Sequence, residues 1–182
     1  MTYTTLADVK TFLGIATDED DTLLSSLIPV AQAHIDAWCG RSFAADSDTT
    51  RHFAACHPQT IGRVLYLDQD LCAVSTIVNG DGETLNPADY LLYPADAPHN
   101  EIYLTITSGK VWTHNGDPAA AIAVTGRWAY ATSAPPAIVH ATNEIIGWLY
   151  RHPQHTAKQS TTHSDMLPPQ ATVLLQPYRR LI

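Results

Sequence analysis

From residue 5 to residue 40 the apolar positions recur at spacings of three and four, the period of a helix face. In TTLADVKTFLG, Leu6, Val9 and Leu13 share one face, with Phe12 beside it. Thr5 and Asp8 have the spacing of a capping box, and Gly14 offers a C-terminal stop, so a helix is predicted over 5–13. TDEDDTLLSSLIPVAQAHIDAWCG predicts a longer helix over 19–39, carried by Leu24, Leu27, Ile28, Ala31, Ile35 and Trp38 and closed by Gly40. Thr17 or Asp18 stands where a cap is needed, and the acids at 18–21 suit the positive end of the helix dipole. Pro29 is discordant. It lacks an amide N–H and crowds the carbonyl four residues back, so a kink or a break is expected there.

The period then changes. RVLYLD, AVSTIVNG, ETL, YLLYP, EIYLTI and AIAVTGRWAY are short, rich in β-branched and aromatic residues, and divided by turn residues. NGDG at 79–82 is the clearest hairpin turn, because Asn and Gly tolerate positive φ. A small antiparallel β unit is predicted over residues 50–130. Helical spacing returns in SAPPAIVHATNEIIGWLYRHP, where Ile138, Ala141, Ile145 and Leu149 form a stripe over 136–150 and Pro135 and Pro136 suit the entry. A polar stretch over 152–167 follows, and then LPPQATVLLQPYRRLI, a brief apolar helix interrupted by Pro177. The expected fold class is α+β: a helical bundle core spanning 1–151 with an inserted small antiparallel β unit, a polar linker at 152–167 and a C-terminal segment at 168–182.

Composition narrows the classes. The chain has 182 residues, 45% apolar, enough for an ordinary core, and no apolar run long enough to span a membrane. MTYTTLADVK lacks the basic and apolar regions of a secretory signal. Three cysteines, Cys39, Cys56 and Cys72, without paired spacing argue against a disulfide scaffold and fit a reducing cytoplasm. The net charge of −8 is uneven: residues 1–100 hold 14 acids and 4 bases, and residues 101–182 hold 4 acids and 6 bases. Such an acidic body is not expected to bind a nucleic-acid backbone, since that affinity rests on neutralising phosphates.

Candidate chemistry is sparse. His152, His155 and His163 gather in the polar linker, but Pro153 separates the first two and nothing between 156 and 162 fixes the third, so no metal site is expected. His52, Cys56 and His57 make a second group at the entry to the β unit, without a further ligand pair at finger spacing. No nucleophile elbow, Walker or dinucleotide glycine pattern occurs. Asp68 and Asp70 flank one strand end and read as surface solvation. Trp112, Trp128 and Trp148 stand in apolar contexts that predict packing. Neither a catalytic residue nor a cofactor is expected.

The order of segments carries more. TLADVKTFLGI followed by DEDDTLLSSLIPVAQAHIDAWCGRSF resembles the N-terminal signature of tailed-phage head–tail connector (adaptor) proteins: a short helix, an acidic cap, and a long helix ending in GR and an aromatic. LYLDQDLCAVSTIVNGDGETLNPADYLLY, GKVWTHNG and IAVTGRWAYATSAPPAIVHAT resemble that family's β insertion, and LPPQATVLLQPYRR its closing stretch. Pro29 and the His-rich linker depart from the pattern.

The resemblance implies a structural virion protein at the head–tail interface, made in the host cytoplasm. It would form a homo-oligomeric ring, twelve-fold to match the portal, with neck and tail-completion proteins as further partners. DNA would pass through its channel without specific binding. The C-terminal segment would dock on the portal protein through Val173, Leu174, Leu175, Tyr178, Arg179 and Arg180. A neck stopper or tail-completion protein is the near alternative, and a metal-dependent hydrolase using the His/Cys clusters the distant one.

Overall fold

The computed structural model describes residues 2–45, 47–152 and 167–180. The chain forms two compact units, one from Met1–Ala44 with Ser133–Ile182, the other from Ala45–Thr132. The fold class is α+β, as expected.

The helical unit holds α1 (Leu6–Leu13), α2 (Asp21–Cys39), α3 (Pro136–Arg151) and α4 (Pro169–Leu175). The hydroxyl of Thr5 caps α1, accepting from the Asp8 amide at 3.2 Å, and that hydroxyl donates to the Asp8 carboxylate at 2.7 Å. Gly14 and Gly40 end α1 and α2 at φ 71° and 66°, the left-handed conformation that favours glycine. Two expectations for α2 need correction. Its N-cap is Asp20, whose side chain makes no cap hydrogen bond, in place of Thr17 or Asp18. Asp18 instead pairs with Lys10 at 2.6 Å, and Lys10 also reaches Asp21 at 2.7 Å.

Nor does Pro29 break α2, which runs through it uninterrupted. Both Pro29 and Ser25, whose carbonyl loses its partner, lie on the exposed side, where the freed carbonyl is open to solvent. The opposite side of α2 buries Leu24, Leu27, Ile28, Ala31, Ile35 and Cys39. Alpha3 contributes Ile138, Ala141, Ile145, Ile146 and Leu149 to the same core. Thr4 joins α3 by donating to Asn143 at 2.8 Å, so the one buried amide there has its hydrogen bond.

The β unit holds seven strands: β1 (Thr49–Phe53), β2 (Thr60–Ile61), β3 (Val64–Leu71), β4 (Ala73–Val78), β5 (Tyr90–Tyr93), β6 (His99–Leu104) and β7 (Ile122–Arg127). They form two antiparallel sheets, β1-β7-β4 and β2-β3-β6-β5. Phe53, Ile77, Ile122 and Val124 of the first sheet and Leu65, Leu67, Ile102 and Leu104 of the second share one core. NGDG forms the predicted turn, with the Gly82 amide donating to Asn79 and the Leu85 amide to Ile77, both at 2.9 Å. ETL contributes only a bridge between Thr84 and Val78. Trp112 and Trp128 are buried, and each indole N–H finds a carbonyl, of Arg63 at 3.0 Å and Thr49 at 2.9 Å.

Candidate partner-docking surface

Seven residues are too few for a helix to stand alone, so α4 is held by what it buries. Pro168 and Pro169 preset its entry. Leu167, Ala171 and Leu175 are buried, and α4 packs along α3. Each leucine contributes on the order of 1.5–3 kcal/mol by leaving water. From sequence, residues 152–182 are expected to be poorly ordered or alternatively placed in the isolated protein, since the polar stretch has few apolar residues and the final helix is too short to stand alone. The structure holds 167–180 against the helical unit.

The hold continues past α4. Gln176–Tyr178 forms a 3-10 turn around Pro177. The Tyr178 ring meets Phe43 edge-on at 5.7 Å, and Phe43 meets Tyr3 edge-on at 5.9 Å. The Tyr3 hydroxyl accepts from the Phe43 amide at 2.7 Å and donates to Asp36 at 2.5 Å. Burial, then the Asp36 acceptor, raises the Tyr3 phenol well above its usual range, and burial also raises the Asp36 carboxyl. The Arg179 guanidinium carbon lies 5.2 Å from the centre of the Trp38 ring. The Arg180 amide donates to the Cys39 carbonyl at 2.8 Å.

This anchoring divides the sequence-predicted docking residues. Leu175 is fully buried within its own unit, and Leu174, Tyr178 and Arg180 are half-buried. Val173 faces outward, 73% exposed, and Arg179 is exposed as well. Leu167, Pro169, Thr172, Val173, Gln176 and Pro177 line a shallow groove that is mostly apolar. The receiving residues Tyr3, Asp36, Cys39 and Phe43 were not singled out as a site by sequence. Their only signal is the glycine–arginine–aromatic ending of α2.

The metal candidates separate. His52 lies in β1 opposite Ala123, and Cys56 and His57 are exposed in the turn that follows. His152 closes α3, its Nδ1 2.9 Å from the Trp148 carbonyl, while His155 and His163 lie outside the described residues. Among the described residues no group of three His, Cys, Asp or Glu comes together. Asp68 pairs with Arg51 at 3.3 Å, and Asp70 is buried. No helix among the described residues is long and apolar enough to cross a membrane.

What the described residues gather at the C-terminal segment is a mostly apolar groove, on a helical unit into whose sequence a β unit is inserted. Residues 3–60 match the family model of phage gp6-like head-tail connector proteins. The fold is similar to chains in three solved structures. One is the neck of an empty gene transfer agent particle computed with C6 symmetry: TM-score 0.65, 14% identity, covering 99% of this chain and 91% of that one. Another is the neck of the native particle computed with C12 symmetry: TM-score 0.59, 15% identity, covering 100% and 95%. The virion of the native particle gives TM-score 0.61 at 13% identity, covering 99% and 91%. No curated protein matches by sequence. The resemblance to head–tail connectors read from the sequence is borne out.

Proposed function

We propose that this chain is a head–tail connector of a tailed phage or phage-like particle. It forms a ring in the virion neck, twelve-fold to match the portal, and joins capsid to tail around the DNA channel. The role is structural and not enzymatic. The C-terminal segment docks on the portal, with Val173 and the groove beside it giving apolar contact and the arginines meeting carboxylates. The observation that carries this reading is the connector signature at residues 3–60, whose α2 ends on the residues that hold the C-terminal segment.

Deleting the segment is a poor test, because it also strips Leu175 and Tyr178 from the helical unit. The test is a surface variant, Val173→Asp, co-sedimented with portal-bearing capsids. It should melt like the parent protein and lose attachment at least tenfold. Parent-like attachment would refute docking through this segment.

A further inference from the structure

The sheet β2-β3-β6-β5 turns Leu65, Leu67, Ile102 and Leu104 into the core. Its other face should be polar, as in most half-buried antiparallel sheets. It is not. Strand register lines up Ile61, Val64, Tyr103 and Leu91 in one row across all four strands. The next row is Tyr66, Glu101 and Tyr93. Ile61 is 49% exposed, Tyr66 40%, Leu91 64% and Tyr93 57%. Singly exposed apolar residues are ordinary, but contiguous rows of them mark a binding surface.

One charge sits within the rows. Glu101 lies between Tyr66 and Tyr93 across the strands and on the same face as Tyr103, two residues on. The Tyr103 hydroxyl donates to Glu101, and this bond raises the phenol to about 12. Tyr93 and Tyr103 meet edge-on, their centres 6.1 Å apart. Lys10, Arg51, Lys110 and Arg127 each pair with a carboxylate, yet among the described residues no ion pair reaches Glu101.

A carboxylate ringed by three phenols is a receptor for a cation. The ring faces attract a guanidinium or ammonium, and the carboxylate neutralises it. The row of Ile61, Val64 and Leu91 suits the aliphatic stem and apolar neighbours of that side chain. The face does not suit itself: two copies face to face would oppose Glu101 with Glu101 in apolar surroundings. It requires a different surface, the head-to-tail arrangement that closes rings. The chain carries an exposed basic side chain of this kind in Arg151, which forms no ion pair among the described residues.

We propose that the outer face of this sheet is a subunit contact, where Glu101 and its three tyrosines receive a basic side chain from the next copy of the chain. The proposal rests on the ring reading above. The test follows assembly of the full chain by native mass spectrometry and sedimentation, alone and with portal. It compares the parent with Glu101→Lys, at a half-buried position, and with Leu91→Ser, at an exposed one, and the folding of both is checked by melting. Each variant should associate at least tenfold more weakly, and added salt should weaken the parent more than Glu101→Lys. A parent that forms no ring even on portal would overturn both the ring and this contact. Rings that form equally from parent and variants would overturn the contact alone. Variant rings that form normally but fail to bind another neck protein would overturn it too, since the face would then serve that protein.

Discussion

The backbone amide of Arg180 donates to the carbonyl of Cys39 at 2.8 Å. That carbonyl belongs to the last residue of α2, one of the four that a helix leaves without an internal partner. The C-terminal segment therefore completes a helix that began near the other end of the chain. Beside this bond the Leu175 carbonyl lies 4.0 Å from the Cys39 sulfur.

Cys39 is consequently a reporter of the clamp. Leu175→Ala should cost about 2–4 kcal/mol, the usual penalty for hollowing a buried leucine, read by denaturant unfolding. In native protein a thiol reagent should label exposed Cys56 first, half-buried Cys72 next and buried Cys39 last. Leu175→Ala should speed Cys39 labelling at least tenfold while leaving Cys56 unchanged. Mass spectrometry of the labelled peptides reads the order.

The same burial sets an alkaline limit. The Cys39 thiol is raised from 9.0 to about 11, chiefly by burial. Its folded value lies above its unfolded one, so its contribution to stability is complete below pH 9 and is lost as pH rises through 11. At full effect the slope is about 1.4 kcal/mol per pH unit. Cys39→Ala removes that slope, and a series of urea unfolding curves between pH 8 and pH 11 should show the parent falling faster than the variant.

In the three-stranded sheet, Gly126 stands opposite both Thr49 and Val74. A Cβ there would lie 2.2 Å from the Ala73 carbonyl oxygen and 3.0 Å from Leu71. Backbone cannot give way as a flexible side chain does, so Gly126→Ala should destabilise the β unit by about 3 kcal/mol. Gly62, with open space around its Cβ position and φ 61°, should cost only about 1 kcal/mol as Ala. Near-UV circular dichroism during denaturation separates the two, because Trp112 and Trp128 lie in that unit's core.

The helices were legible because their signals are local. Thr5, Asp8 and Gly14 sit within ten residues of one another and act on the same helix. The strands at 64–71, 73–78, 90–93, 99–104 and 122–127 were legible for the same reason. What sequence hid was long-range. Beta1, with its exposed Thr49, Thr50 and His52, has no strong alternation and exists because β7 lies beside it. The split into two sheets depends on which strands pair, which no local pattern carries. Pro29 misled because its cost depends on whether water reaches the freed carbonyl. The proposed docking segment reads as apolar anchors and arginines, but nothing in VLLQPYRR tells which anchors its own chain consumes. Only packing along α3 assigns Leu175 inward and leaves Val173 out.

The division of the chain into units also orders its synthesis. Residues 45–132 are contiguous, so the β unit emerges whole from the ribosome and can fold while the rest is still being made. The helical unit has no such freedom. Phe43 and Cys39 wait for Tyr178 and Arg180, which follow the whole β unit in the chain. A nascent chain thus cannot complete the core of its helical unit until every strand of the β unit has already been made.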